Sequence, residues 1–323
     1  MRRLLTAALL VAAPAWAGCA AASLDLQPAA QARSAAAAPE QPLRLPLEAD
    51  SVKFAVIGDT GTGDSKQQRV ADQLTAWRTK FPYEFVIMTG DNIYGTDNAR
   101  NFRRNFEEPY AALLGAGVKF YASLGNHDDP NQRLYKPFNM NGERYYSFKP
   151  KDGVRFFALD TNYVDEAQVK WLEEALMASG SDWKIAFFHH PLYSSGETHG
   201  SADLQREKLE PIFLKHGVNV VFAGHEHFYE RVKPQKGVAY FTIGNSAKLR
   251  RGDLEPSALT AKGWDRGYAF MLVEVVGDEL FFQVIDEAGR QIDAGSVKRA
   301  GDSPQTPSRT TQPVTPGVAA PKK

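Results

Sequence analysis

Short apolar runs recur along this chain, and a polar cluster containing glycine or proline follows each of them. Phe54–Ile57, Phe85–Met88 and Val220–Ala223 are three such runs, rich in β-branched and aromatic residues. Runs of this length and composition are typical of buried β-strands. Between them lie longer segments in which apolar residues recur three or four positions apart, a spacing that predicts amphipathic helices.

Three segments carry this helical spacing. Asp64 is placed to cap a helix that reaches Trp77, and Asp165 is placed to cap a second helix. Glu207–His216 predicts a third, with His216 as a capping residue at its C-terminal end before Gly217. The apolar positions that predict the buried faces of the first two are Val70, Leu74 and Trp77, and Val169, Leu172 and Leu176.

The order of these elements predicts the fold class. An early strand–helix–strand run precedes several consecutive strands, and Gly277-Asp278-Glu279 joins the last two as a hairpin. This order predicts an α/β fold with two mixed β-sheets packed face to face and helices on the outside. The further strands predicted from apolar runs are Tyr145–Phe148, Val154–Leu159, Ile185–Phe188, Val218–Phe222, Val238–Ile243, Tyr268–Val276 and Leu280–Ile285.

The ends of the chain differ in composition from its middle. Residues 51–297 predict a single folded domain, of a size typical of one α/β unit. Residues 20–50, rich in Ala, Gln and Pro, predict a flexible tether, and residues 298–323 predict a disordered tail. Lys plus Arg equals Asp plus Glu at 38 each, so no basic surplus favours binding of nucleic acid.

Residues 1–19 have the pattern of an export signal. Arg2 and Arg3 precede the apolar stretch Leu4–Ala13, and a small-residue cleavage site follows it. The only cysteine, Cys19, sits where a bacterial lipobox has its lipidated cysteine, although Trp16 stands in the position usually held by an aliphatic residue. We predict a periplasmic or membrane-anchored lipoprotein; cleavage after Ala17, which leaves a free thiol, is the alternative.

Five polar clusters concentrate oxygen and nitrogen donors at the ends of predicted strands. Aspartate, asparagine and histidine together suit hard and borderline first-row metal ions and exclude copper(I) or iron–sulfur chemistry. Two metal ions about 3.5–4 Å apart, sharing a carboxylate, are typical of phosphoryl hydrolysis. The clusters are Gly58-Asp59-Thr60-Gly61, Gly90-Asp91-Asn92-Ile93-Tyr94, Gly125-Asn126-His127-Asp128, His189-His190-Pro191 and Gly224-His225-Glu226-His227.

In this order, the five clusters resemble the motifs of the calcineurin-like metallophosphoesterases over residues 51–285. Tyr94 and the stretch Gly224–Arg231, which ends in Tyr-Glu-Arg, are similar to the purple acid phosphatase branch, which includes tartrate-resistant acid phosphatase. The resemblance implies a four-layer αββα sandwich and a metal-dependent acid phosphatase that hydrolyses monoesters of small phosphorylated substrates. The chain offers only a tether where plant enzymes carry an N-terminal β-sandwich domain, so it is more similar to the single-domain forms.

The resemblance also implies a ligand set for a binuclear centre. A ferric ion would be held by Asp59, Tyr94 and His227, with Asp91 bridging to a divalent iron, zinc or manganese ion. Asn126, His189 and His225 would hold that divalent ion. Because the family has its ligand two residues before the proline, the resemblance selects His189 over His190, which would line the pocket.

His127 and His199 are the candidates for acid catalysis. His127 follows Asn126 and is expected to point into the cleft, where it can bond phosphate oxygens. His199 lies in the loop Ser194–Gly200 and is either a substrate-side histidine or a solvated loop residue. A metal-bound hydroxide would attack phosphorus in line, and one of the two histidines would protonate the departing oxygen.

Other functions remain open from the sequence. A phosphodiesterase or nucleotide-directed phosphohydrolase would use the same metals with different pocket walls. A phosphate- or metal-binding lipoprotein without turnover is a second alternative, although every expected ligand is present. The Gly58–Gly63 stretch lacks the Gly-Lys-Ser/Thr of a nucleotide-binding P-loop. With no cysteine for a disulfide-linked dimer, a monomer is the expectation.

Overall fold

A computed structural model describes residues 42–299. The predicted export signal 1–19, Cys19 and the tail from residue 300 onward lie outside the described residues, as does the first part of the predicted tether. Within residues 42–299, no helix combines the length and the apolar character that crossing a membrane requires.

Thirteen strands form two mixed sheets of six and seven strands. Sheet I contains β1 Val52–Ile57, β2 Phe85–Met88, β3 Lys119–Ala122, β11 Ala269–Val276, β12 Glu279–Asp286 and β13 Gln291–Lys298, in the order β13-β12-β11-β1-β2-β3. Strands β1, β2 and β3 are parallel, and β11 runs antiparallel to β1.

Sheet II has a parallel centre with antiparallel edges. It contains β4 Tyr146–Lys151, β5 Val154–Ala158, β6 Trp183–Phe187, β7 Val220–Ala223, β8 Tyr229–Val232, β9 Ala239–Ile243 and β10 Thr260–Trp264, in the order β10-β8-β9-β7-β6-β5-β4. Strands β5, β6, β7 and β9 are parallel to one another.

The helices are α1 Ser65–Arg78, α2 Ala99–Phe102, α3 Ala111–Gly115, α4 Glu166–Met177 and α5 Asp203–His216. A π-helical turn, Arg103–Glu107, continues α2, and two 3₁₀ turns cover Pro130–Leu134 and Lys136–Phe138. As predicted, Asp64 caps α1 by accepting the Lys66 N–H at 2.9 Å, and Asp165 caps α4 by accepting the Gln168 N–H at 2.8 Å. Helix α5 ends at His216 before the left-handed Gly217 but begins at Asp203, earlier than predicted.

The alternation of side chains along sheet II shows why the two sheets pack face to face. Phe156 points into the core between the sheets, where its ring centre lies 5.0 Å from that of Phe54 on sheet I. Its neighbour Phe157 points the other way, into a second core that includes Leu172 of α4 and Phe213 of α5. Both faces of these strands are therefore buried, and the predicted fold of two mixed sheets with helices is confirmed.

The sequence did not indicate four strands: β3, β8, β10 and β13. The apolar run of β3 is short, with exposed Lys119 at its start. Strands β10 and β13 lie at sheet edges and have mostly exposed or half-exposed residues, so they lack the apolar alternation that marks a buried strand.

The segment just before β1 packs on sheet I. The fully buried carboxylate of Glu274 accepts the backbone N–H groups of Leu47 and Glu48, both at 2.8 Å. Gln283 accepts the N–H of Arg44 at 2.9 Å, and Leu45 is buried. Residues 42–50, which the sequence assigned to the tether, therefore pack against the domain.

Candidate metal centre

The five polar clusters meet at one edge of the two sheets. Asp59, Asp91 and Asn126 follow the carboxyl ends of β1, β2 and β3 in sheet I, and His189 and the pair His225 and His227 follow β6 and β7 in sheet II. Because parallel strands end at the same edge, loops that are distant in sequence converge there.

Glycines allow the loops to approach one another this closely. A Cβ atom at Gly125 would lie 2.2 Å from the Asp91 nitrogen, and one at Gly224 would lie 2.5 Å from Asp59 Oδ2. Asp59, Asp91 and His225 have positive φ angles of 54°, 53° and 69°, the left-handed region that costs a non-glycine residue roughly 1–2 kcal/mol. Such strain at three neighbouring residues is typical of functional sites.

A first group of donor atoms surrounds Asp59. The His227 Nε2 atom lies 3.3 Å from Asp59 Oδ1, and the Tyr94 hydroxyl lies 3.4 Å from the same oxygen. The Tyr94 hydroxyl also donates to Asp91 Oδ2 at 2.8 Å. These four side chains bring oxygen and nitrogen atoms to one point.

A second group of donor atoms surrounds His189. Its Nε2 atom lies 2.9 Å from Asn126 Oδ1, 3.2 Å from His225 Nδ1 and 3.4 Å from Asp91 Oδ1. The His225 Nδ1 atom is 3.0 Å from Asn126 Oδ1. Atoms that share one metal ion at about 2.0–2.2 Å are typically spaced in this way.

The tautomer of His189 shows that the second group fits a cation. His189 Nδ1 lies 2.9 Å from the Thr89 carbonyl, which can only accept a hydrogen bond, so Nδ1 carries the proton. Nε2 then presents a lone pair toward Asp91 Oδ1, which is also an acceptor. A cation bound between these two buried acceptors would satisfy both of them.

The pKa values of the buried donor groups also agree with the binding of a cation. Burial, together with Asp91, raises the pKa of Asp59 well above its usual value. Burial also lowers the pKa of His189 well below its usual value, that of His225 to about 2 and that of His227 to about 4. The imidazoles are therefore neutral, as metal binding requires, and a bound cation would favour the ionised form of the Asp59 carboxylate.

The other predicted site residues surround the two groups. His127 is exposed, with its ring centre 5.2 Å from that of Tyr94, and its N–H donates to Asp91 Oδ1 at 3.0 Å. The rings of His190 and His199 lie 4.5 and 4.3 Å from that of His225. The Nδ1 atom of His190 pairs with the Thr161 hydroxyl at 2.9 Å. All nine predicted ligand and catalytic residues therefore lie together.

Asp128 has a positioning role that sequence reasoning missed. Its carboxylate accepts the N–H groups of Asn92 and Gly125, both at 2.8 Å, and that of Ile93 at 3.1 Å. It thereby connects the loop of Asp91 to the loop of Asn126. Burial and the charge of Asp91 raise the pKa of Asp128 to about 8.

Glu226, between the two histidines of its motif, was also missed. Its fully buried carboxylate accepts the Gly200 N–H at 2.7 Å, next to His199. Asp253, which lies between β9 and β10, accepts the N–H of Thr198 at 3.0 Å, and Thr198 is on the same loop as Gly200. The alternation around His225 and His227 could have indicated a buried acid here. The same pattern could not have shown that Glu226 bonds to the loop of Gly200, because that loop is remote in sequence.

Lys248 adds a positive charge at the first group. Its ammonium lies 4.1 Å from the ring centre of Tyr94, at the distance of a cation–π contact. Burial raises the pKa of Asp59, and the charge of Lys248 opposes that rise. Lys248 belongs to none of the five polar clusters, so only the structure brings it to the site.

The calcineurin-like phosphoesterase family model matches residues 52–229, from β1 to the start of β8. The chain belongs to the calcineurin-like phosphoesterase family. The matched region contains every donor of the two groups, and the predicted resemblance and the prediction of a metal-dependent phosphatase are confirmed.

Relatives within this family include purple acid phosphatases. Purple acid phosphatase 17 of Arabidopsis thaliana is 29% identical over 67% of this chain and 75% of its own length. Tartrate-resistant acid phosphatase type 5 of Rattus norvegicus is 23% identical over 80% of this chain and 96% of its own. These relatives imply a binuclear metal centre.

A solved structure shows that the fold is shared more widely. GAP50, the anchor in the inner membrane complex of Plasmodium, aligns with a TM-score of 0.69 over 77% of this chain and 89% of its own, at 18% identity. Identity this low supports a common fold and carries no functional assignment. Within this fold, the residues of the site determine the function.

Proposed function

We propose that this metallophosphoesterase is an acid phosphatase that hydrolyses phosphate monoesters at a binuclear centre. The observation that carries the proposal is the position of Asp91, whose two oxygens face different donor groups. Oδ2 accepts the Tyr94 hydroxyl at 2.8 Å, and Oδ1 lies 3.4 Å from His189 Nε2. Such a carboxylate can bridge two metal ions.

The chemistry of the donors supports a separate set of ligands for each ion. Asp59, Tyr94 and His227 would hold a ferric ion, because a phenolate and a carboxylate are hard donors. Asn126, His189 and His225 would hold divalent iron, zinc or manganese. When bound, the two ions would activate water as the nucleophile and neutralise charge on the phosphate.

The protein's own groups would complete the reaction. His127, exposed beside Tyr94, would protonate the departing oxygen, and His199, whose ring lies 4.3 Å from that of His225, is the second candidate for this role. Lys248 contributes a fixed positive charge near the first group, which favours a phosphate dianion. Glu226 and Asp128 position the loops that carry these groups.

The cellular setting is part of the proposal. We infer that the protein is exported, that Cys19 is lipidated and holds it at a membrane, and that it acts as a monomer on small phosphorylated substrates. Incorporation of radiolabelled palmitate into the wild type but not into Cys19→Ser would support the anchor. An unlabelled wild-type protein would show that the chain is released without a lipid.

The direct test is phosphate release by the full-length chain loaded with iron and zinc. Ethyl phosphate and diethyl phosphate make a matched pair of monoester and diester, assayed from acid to neutral pH. We expect turnover of the monoester, fastest below neutrality. Turnover of the diester alone would assign a phosphodiesterase, and metal binding without turnover of either would favour a binding protein.

A further inference from the structure

A cavity of about 480 Å³ is lined by the loop between β5 and α4, with Tyr163 and Val164, and by the first turns of α5, with Leu204. This volume lies in the range typical of small-molecule sites. The loop follows the carboxyl end of β5, and α5 belongs to the connection that follows β6, so both lining segments come after strands of sheet II that end at the edge of the ligand loops.

Two hydrogen-bonded connections join this cavity to the ligand loops. Asn162, in the cavity wall, donates from Nδ2 to the carbonyl of Gly125 at 3.2 Å, immediately before the proposed ligand Asn126. Gln205, which also lines the cavity, donates to the carbonyl of Thr161 at 3.1 Å. The hydroxyl of Thr161 pairs with His190, whose ring lies 4.5 Å from that of His225.

Two of the residues that line the cavity have large apolar side chains that are mostly exposed. Tyr163 is 65% exposed and Leu204 is 73% exposed. An exposed tyrosine and an exposed leucine that line one cavity leave apolar surface that a flat ring can cover. The charged groups Asp165 and Lys208 also line the cavity. The Lys208 ammonium donates to the Val164 carbonyl at 2.6 Å and so supports the wall.

We propose that this cavity is a subsite for an aromatic leaving group, so that the favoured substrates are phosphate monoesters of alcohols that carry an aromatic ring. The ring would lie between Tyr163 and Leu204 while the phosphate reaches the donor groups beyond Asn162. This inference rests on the proposed phosphatase function, and it adds a substrate class that the metal ligands do not determine.

The test compares two monoesters with similar reacting atoms, 2-phenylethyl phosphate and ethyl phosphate. The measured quantity is the ratio of their kcat/KM values, which cancels effects on the metals and on acid catalysis. We expect Tyr163→Ala and Leu204→Ala each to lower this ratio roughly ten-fold. Tyr163→Phe, which keeps the ring, should retain the wild-type ratio.

Met177→Ala is the matched control, because Met177 is 69% exposed but lies at the other end of α4. It should leave both rates unchanged. If Tyr163→Ala and Leu204→Ala hydrolyse both esters with the wild-type ratio, the subsite is disproved and the phosphatase function stands.

A binding measurement separates the two proposals if no ester is hydrolysed. Calorimetry on the metal-loaded protein compares 3-phenylpropylphosphonate with propylphosphonate, the counterparts of the two esters in which a methylene group replaces the ester oxygen, so that neither is turned over. A preference of roughly ten-fold for 3-phenylpropylphosphonate that disappears in Tyr163→Ala would support the subsite even in a protein without phosphatase activity. Equal affinities for both phosphonates in the wild type would overturn it.

Discussion

The Tyr94 hydroxyl donates to Asp91 Oδ2 at 2.8 Å, and this contact places the tyrosine and the carboxylate on the same side of the site. The other oxygen, Oδ1, remains directed at His189. One residue thus contacts both donor groups, and Asp91 is the position at which the binuclear proposal is most directly tested.

Replacing Asp91 with alanine should remove the connection between the two groups. We expect Asp91→Ala to lose at least one metal ion per chain and all detectable phosphatase activity, because neither group keeps its full set of donors. Metal content measured by mass spectrometry beside phosphate release checks this. Asp72→Ala, an exposed aspartate on α1, is the control. A fully active Asp91→Ala protein with two metals would contradict the scheme.

His127→Ala should separate acid catalysis from metal binding. The side chain of His127 is exposed and makes its ring contact with Tyr94, so metal content should stay at the wild-type value. The kcat for an alkyl monoester, which has a poor leaving group, should fall by about 10²–10⁴-fold. His216→Ala, at the remote end of α5, should keep wild-type kcat. Normal turnover in His127→Ala would reassign the acid, with His199 the next candidate.

Lys248→Gln removes the positive charge beside Tyr94. The lost attraction between this charge and a bound phosphate is about 1 kcal/mol near the protein surface, so kcat/KM should fall roughly five-fold while metal content is retained. The visible absorption of an iron-loaded protein should also shift, because the charge lies over the proposed phenolate ligand. Lys248→Arg should preserve most of both properties. If Lys248→Gln has the same rates and spectra as the wild type, the charge of Lys248 plays no part in catalysis.

Removing the metals should make stability depend on pH. Burial and the charge of Asp91 raise the pKa of Asp59 and bring that of Asp128 from 3.8 to about 8. In the metal-free protein, the folded state then binds protons that the unfolded chain has released. The histidines of the site have lowered pKa values and act in the opposite direction below their usual value of 6.5, so the free energy of unfolding should fall as the pH rises from 6.5 toward about 8.

Bound cations should offset this loss by stabilising the ionised carboxylates. The difference in melting temperature between metal-loaded and chelated protein should therefore widen as the pH rises. Scanning calorimetry of both forms across this range is the measurement. If the difference in melting temperature stays constant with pH, the ionisation of these carboxylates is not coupled to metal binding.

Glu274→Ala should destabilise the domain from a position far from the metal centre. Its buried carboxylate accepts bonds from Leu47, Glu48 and the Ser51 hydroxyl, so its removal leaves these donors unsatisfied. We expect a loss of about 1–3 kcal/mol in the free energy of unfolding, measured in urea, and faster proteolysis within residues 42–50. Glu255→Ala, at an exposed position, should change it by less than about 0.5 kcal/mol.

Much of the fold and of the metal site could be predicted because the residues that form them occur in short local motifs. Asp59, Asp91 and His225 each follow a glycine after an apolar run, and strand ends in a parallel sheet necessarily meet at one edge. The helix caps Asp64 and Asp165 were likewise predictable, since capping depends only on residues within one turn.

The tertiary structure decided what depends on residues distant in sequence. Lys248 reaches Tyr94, and Glu226 reaches Gly200, only because separate loops pack at the same edge. The cavity lined by Tyr163 and Leu204 likewise forms only because the loop between β5 and α4 lies close to the start of α5. The sequence alone determined the fold class and the donor set, since periodicity and motif order are local. Only folding could bring the supporting charges and the cavity walls to those donors.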